Sequence, residues 1–115
     1  MHHSDEIPEG FSALCSVDDL EEGKGVRLII NDEEIAVFKV KDKIYVVSNV
    51  CPHQHTTIMD KGFVEDGFLA CPAHSWKFNL ETGKKPDGTR GLTTYPVKII
   101  GNKVYSKVIP KTFNW

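Results

Sequence analysis

The sequence is short of cysteine, of long apolar runs and of excess charge. Its 115 residues include three cysteines, an odd number that does not make a disulfide framework. No run of about 18 apolar residues occurs, so no membrane-spanning helix is expected. The formal net charge of −2 argues against general binding to nucleic acid or to a membrane surface.

The N-terminus lacks the apolar core of a signal peptide, which predicts a cytoplasmic protein. In a reducing compartment, Cys and His residues that lie near each other are interpreted first as metal ligands. Cys15 stands apart from such partners, among apolar neighbours, and is expected to be an inert core thiol.

Helical patterns are also scarce, whereas short segments rich in Val, Ile, Phe and Tyr recur between turn residues. This spacing predicts an all-β domain. No repeat or linker divides the chain, so residues 1–115 are expected to form a single domain. A helical turn is predicted only at 16–20, and hairpin turns at 31–32, 41–42, 65–67 and 101–102. Strands are predicted over 11–15, 26–30, 35–40, 44–48, 62–64, 68–71, 77–80, 94–100 and 103–109.

Two short motifs carry the chemistry, "CPHQH" from Cys51 and "CPAHSW" from Cys71. Each motif offers one thiolate and a nearby imidazole, which is His53 or His55 in the first motif and His74 in the second. Structural zinc sites usually pair like with like, with two cysteines in one arm and two histidines in the other. The mixed arms fit a binuclear site, in which one iron is held by two thiolates and the other by two imidazoles.

With these motifs, the sequence resembles the Rieske family, whose signature is Cys-x-His, a spacer of this length, and Cys-x-x-His. The likeness extends through "CPAHSWKFNLETGKK" and "LTTYPVKIIGNKVYSKV" and covers roughly residues 10 to 109. It implies the Rieske fold, an antiparallel β-sandwich or barrel with a small cluster-binding subdomain inserted after the fourth strand, at about 49–82. It also implies one [2Fe-2S] cluster per chain, with Cys51, His53, Cys71 and His74 as its ligands.

Several positions depart from the respiratory members of the family. Those proteins carry an additional cysteine in each loop, where this chain has Thr56 and Ala73. They also place hydroxyl groups where this chain has Trp76 and Phe78, and such hydroxyls raise the cluster potential. We therefore expect a potential toward the low end of the Rieske range of about −150 to +300 mV. His55 is expected to be a neighbour of the cluster rather than a ligand.

The resemblance implies a one-electron carrier, and no independent catalytic site is expected in this chain. The partners are either a flavin-dependent reductase and a terminal oxygenase or the large subunit of a nitrite reductase. "HSWKF.LETG" is somewhat closer to the nitrite reductase small subunit. Trp76 is interpreted either as part of a docking surface or as simple packing. The alternative function is a zinc-stabilised binding module without redox activity.

Overall fold

In a computed structural model of the chain, the structure describes residues 9–51, 57–72, 76–88 and 91–108. Within these residues, short antiparallel strands dominate, and the helices are two single 3₁₀ turns, Val17–Asp19 and Met59–Lys61. Neither turn is long and apolar enough to cross a membrane. The strands are β1 Ser12–Ser16, β2 Val26–Ile30, β3 Glu33–Val40, β4 Lys43–Ser48, β5 Phe63–Glu65, β6 Phe68–Ala70, β7 Lys77–Asn79, β8 Thr94–Tyr95, β9 Val97–Ile100 and β10 Lys103–Ser106.

The strands form three sheets, with the orders β1-β10-β9, β2-β3-β4-β8 and β5-β6-β7. The first two sheets combine strands from both ends of the chain, because β8 pairs with β4 and β10 pairs with β1. The third sheet follows β4 in the chain and is built only from neighbouring strands. The prediction of an all-β fold with antiparallel sheets is confirmed.

The hairpin turns adopt the backbone that their residues predict. Asn31 and Asp32 have φ of 52° and 65°, and Lys41 and Asp42 have φ of 50° and 70°. Two consecutive residues with positive φ give the turn whose twist matches that of paired strands. These turns fix the register of β3, in which Ile35 lies opposite Leu28 on one side and Ser48 on the other.

Two predicted strands are wrong in their extent. The strand predicted over 103–109 ends at Ser106, the end of β10, and residue 109 lies outside the described residues. The apolar pattern predicted continuous pairing over 94–100, but Pro96 divides this segment into β8 and β9, which belong to different sheets. Proline has no backbone N–H to donate to a ladder, so it favours a break. The Pro96 carbonyl instead accepts hydrogen bonds from Ser106 Oγ at 2.6 Å and from the Lys107 N–H at 3.3 Å.

Strand β3 separates two hydrophobic cores, because its side chains alternate between its faces. Ile35 and Val37 join the core shared with the β1-β10-β9 sheet, while Ala36 and Phe38 join the core shared with the β5-β6-β7 sheet. We call the latter the loop-side core. Its buried residues are Ala36, Phe38, Val47, Cys51, Met59, Leu69, Cys71, Phe78, Leu80 and Leu92. Burial on both faces explains why residues 35–38 of β3 form a continuous apolar run rather than an alternating pattern.

Candidate metal centre

The two cysteines of the predicted site meet in the loop-side core. Cys51 Sγ and Cys71 Sγ lie 3.2 Å apart, although 20 residues separate them in the chain. Their exposed fractions are only 0% and 1%. The separation exceeds the disulfide bond length of about 2.05 Å. It is about half an ångström shorter than the separation of two thiolates that share a tetrahedral ion at bonds of about 2.3 Å. A small adjustment would therefore let both sulfurs bind one metal ion.

The first loop is closed immediately before its cysteine. Val50 forms an isolated antiparallel bridge with Thr57, so the chain leaves β4, turns and returns within a few residues. Cys51 is the first residue inside this closure. The following 3₁₀ turn, which the sequence did not predict, is held by hydrogen bonds from Lys61 N–H to Ile58 O at 3.0 Å and from Gly62 N–H to Met59 O at 2.9 Å.

The second loop has the same construction. Ala70 pairs with Lys77 between β6 and β7, and the Cys71 N–H donates to the Trp76 carbonyl at 2.8 Å. Cys71 is thus the first residue inside the second closure, as Cys51 is in the first. Leu69, Cys71 and Phe78 all belong to the loop-side core. The alternation of β6 therefore directs the cysteine sulfur inward, beside that of Cys51.

The other predicted ligands, His53 and His74, lie outside the described residues, as do His55, Thr56 and Ala73. In sequence, His53 falls between Val50 and Thr57, and the other imidazole falls between Cys71 and Trp76. The structure brings the two predicted thiolate ligands together and leaves the assignment of the imidazole ligands as a prediction.

Trp76 lies at the end of the second loop and is partly buried against the loop-side core. Its ring is tilted by 56° to that of Phe78, with centroids 6.4 Å apart. Lys85 Nζ lies 4.2 Å from the centroid of the Trp76 ring, within the range of a cation–π contact. The structure thus supports packing for Trp76, while the lysine leaves a positive charge beside the second loop.

Gly83 connects the end of β7 to residues 91–92. The Gly83 N–H donates to Asn79 O at 2.7 Å, and the Gly83 carbonyl accepts from Gly91 and Leu92 N–H groups at 3.1 and 2.9 Å. A Cβ on Gly91 would come within 2.5 Å of the Phe78 ring, so glycine permits close approach at this point. Leu92 is buried in the loop-side core to which both cysteines belong.

Cys15 lies on β1, against the other core, and is partly buried. Burial raises the pKa of its thiol above the ordinary value, and the negative charge of Asp19 raises it further. Both effects favour the neutral thiol over the thiolate that binds metals. This agrees with the expectation of an inert core thiol.

One residue of the site was missed by the sequence analysis. Asn49 is fully buried and lies two positions before Cys51, where it binds both the four-stranded sheet and the returning end of the first loop. The available signal was a polar side chain directly after the apolar strand "KIYVVS". A buried amide requires hydrogen-bond partners, and such partners are not visible in one sequence.

The fold and the two buried thiols in contact define an all-β protein with a pair of cysteines suited to binding a metal. A family model of the Rieske-like [2Fe-2S] domain matches residues 10–107. The ferredoxin component of the naphthalene 1,2-dioxygenase/salicylate 5-hydroxylase systems of a Ralstonia species is 37% identical over 100 residues, covering 85% of this chain and 94% of the relative. The ferredoxin component of the Xanthobacter autotrophicus alkene monooxygenase system is 30% identical, covering 79% of this chain and 75% of the relative.

Solved structures agree with this result. A Sphingomonas yanoikuyae ferredoxin superposes with a TM-score of 0.71 at 27% identity, covering 81% of this chain and 93% of that one. A Mycobacterium tuberculosis protein described as an NADH-dependent nitrite reductase small subunit gives a TM-score of 0.80 at 23% identity, covering 88% and 96%. At that identity the second likeness concerns the fold alone.

The chain belongs to the Rieske-like [2Fe-2S] domain family. The predictions of a Rieske fold, of one [2Fe-2S] cluster and of an electron-carrier role are confirmed. The donor set fits this cofactor, because two buried thiols already lie side by side at the bases of the two loops.

Proposed function

We propose that this chain is the ferredoxin component of an oxygenase system, in which it receives electrons from a flavin-dependent reductase and delivers them to a terminal oxygenase. The contact between Cys51 and Cys71 carries the proposal, because it assembles the thiolate half of the centre. Oxygenase-system ferredoxins among the relatives at 30% identity or more support this setting. The nitrite reductase large subunit is the alternative partner, and the motif "HSWKF.LETG" favours it.

We further propose that Cys51 and Cys71 bind one iron as thiolates and that His53 and His74 bind the other through ring nitrogens. The bound cluster supplies a single electron that can be taken up and released. The chain itself holds the thiolates away from water, since both sulfurs lie in the loop-side core. The cluster-binding subdomain would then comprise about residues 49–82, and the closures at Val50 and at Cys71 would set the position of each loop.

A cytoplasmic location belongs to the same proposal. Thiolate ligands remain available to a metal in a reducing compartment, where disulfides are rare. Neither nucleic acid nor a membrane is expected as a partner, in keeping with the net charge of −2.

Docking of the redox partner is proposed to use positive charge beside the second loop. Lys77 on β7 is exposed, and so is Lys84, whose carbonyl accepts from the Asn79 N–H at 2.8 Å. Lys85 lies over Trp76. Together with Arg90, which follows closely in the sequence but lies outside the described residues, these lysines make up a basic patch. Glu65 opposes the patch only weakly, because its carboxylate lies 4.0 Å from Lys77 Nζ and both side chains are exposed.

We expect Lys84→Gln to lower the rate of electron transfer from the reductase component of a naphthalene dioxygenase system by about two- to threefold at low salt. Added salt should slow the wild-type protein and remove the difference, because it screens exposed charges. Stopped-flow reduction over a salt series measures both effects. Lys98→Gln is the matched control, since Lys98 is also exposed but lies on β9, and it should behave as wild type. A rate that is insensitive to salt would contradict docking through this patch.

A further inference from the structure

Asn49 joins the two ends of the first loop. Its backbone carbonyl accepts a hydrogen bond from the Met59 N–H at 3.2 Å, and its side-chain Oδ1 accepts one from the Asp60 N–H at 2.6 Å. Cys51 lies within the segment that these two bonds enclose. The position of the cysteine therefore depends on where Asn49 is held.

Strand β3 holds Asn49 in place. The Asn49 backbone N–H donates to the Glu34 carbonyl at 2.9 Å, which extends the pairing of β3 and β4 by one residue. The Asn49 side-chain Nδ2 donates to Glu34 Oε1 at 3.3 Å. Both groups of the buried amide are thus bonded, one to the sheet and the other to the loop.

Arg27 on β2 fixes the Glu34 carboxylate in turn. Its Nε donates to Oε1 at 2.8 Å and its Nη2 to Oε2 at 3.1 Å, in the two-point geometry that holds a carboxylate in one orientation. The hydrogen bond from Arg27 is the largest cause of the lowered pKa of Glu34, and the bond from Asn49 acts in the same direction. Arg27 also interacts electrostatically with Asp60, at the far end of the loop.

We propose that Asn49 is a positioning residue for the cluster, which sets Cys51 against Cys71 through the series Arg27, Glu34 and Asn49. The inference rests on the proposed assignment of Cys51 as a ligand. This role differs from a general contribution to stability, because the hydrogen bonds of Asn49 act on the position of one ligand, Cys51. Mutation of a group that orients a metal ligand by hydrogen bonding typically lowers metal affinity by about 10- to 100-fold.

The test compares Asn49→Ala with Asn102→Ala in the cluster-containing protein. Asn102 also makes two side-chain hydrogen bonds, to Ser16 Oγ and Asp18 Oδ2, both at 2.8 Å, but it lies in the β9–β10 turn of another sheet. We expect Asn49→Ala to bleach about tenfold faster than wild type in the presence of an iron chelator. Its reduced form should also show a shifted paramagnetic resonance spectrum. Asn102→Ala should retain the wild-type rate and spectrum.

A pair of charge-changing substitutions separates the geometry of the site from simple loss of the side chain. Asn49→Asp keeps the acceptor for the Asp60 N–H but places a carboxylate against that of Glu34, so it should also bleach faster. Adding Glu34→Gln removes the repulsion between these two carboxylates and should restore part of the wild-type rate. Non-additive recovery of this kind marks a direct interaction.

Two results would overturn the inference. One is a wild-type spectrum and bleaching rate in Asn49→Ala, even if its melting temperature falls. The other concerns Asn49→Asp and can be measured even when Asn49→Ala does not fold. Either wild-type behaviour of Asn49→Asp or a defect that Glu34→Gln fails to relieve would contradict the inference. Absence of a cluster from the wild-type protein would instead refute the proposed function, so the two failures are distinguishable.

Discussion

Replacing His53 by alanine will abolish the visible colour of the purified protein, whereas replacing His55 by alanine will leave it in place. In the proposed site, one iron would be held by two imidazoles, so loss of one imidazole would leave that iron short of a protein ligand. His55 lies in the same loop, and its replacement removes an imidazole without touching the assigned ligand set. Iron content per chain and the visible absorption spectrum measure the outcome, with wild-type protein prepared in parallel.

The two variants form a matched pair, because both remove the same side chain within three positions of the sequence. A general effect of shortening a histidine in this loop would appear in both variants. Bleaching of His55→Ala together with a coloured His53→Ala would reverse the assignment. Bleaching in neither variant would place the iron ligands elsewhere.

Replacing Gly83 by alanine is expected to destabilise the fold strongly. Gly83 has φ of +77°, and a Cβ there would lie 1.8 Å from the Leu92 carbonyl oxygen. The clash is with the Leu92 backbone, which cannot shift without a large cost in free energy because the Leu92 side chain is buried in the loop-side core. We expect a loss of about 3 kcal/mol or more in the free energy of unfolding.

Gly88→Ala is the control for this change. Gly88 has a similar φ of +90°, but a Cβ there meets nothing within 4 Å. It should cost about 1–2 kcal/mol, which is the conformational penalty alone. Thermal unfolding followed by circular dichroism would compare the two variants at equal cluster content. Equal losses would show that the contact with the Leu92 carbonyl does not matter.

The sequence was sufficient for features that depend on neighbouring residues. Hairpin turns such as Asn31-Asp32 were predictable because their side chains tolerate positive φ, and the strands between them follow from apolar segments. The division at Pro96 was not predicted, because the same apolar pattern suits one strand or two strands in different sheets. Only the pairing of β8 with β4 and of β9 with β10 decides between them.

Some residues of the site could likewise be predicted from the sequence, and others could not. Cys51 and Cys71 could be predicted as partners from their spacing and from the histidine near each one, and the structure places their sulfurs in contact. Asn49 could not, because its role depends on Glu34 in another strand and on Asp60 at the far end of the loop. Hydrogen bonds between distant parts of the chain leave no periodic signal in a single sequence.

A redox titration followed by paramagnetic resonance shows whether the two cysteine-and-histidine loops hold a [2Fe-2S] cluster for one-electron transfer. Purified protein should be red-brown, should bleach with dithionite in a single one-electron step, and should then give a Rieske-type spectrum. The midpoint potential should lie below zero, toward the low end of the range of about −150 to +300 mV. A colourless protein that contains zinc and gives no such spectrum would contradict the account.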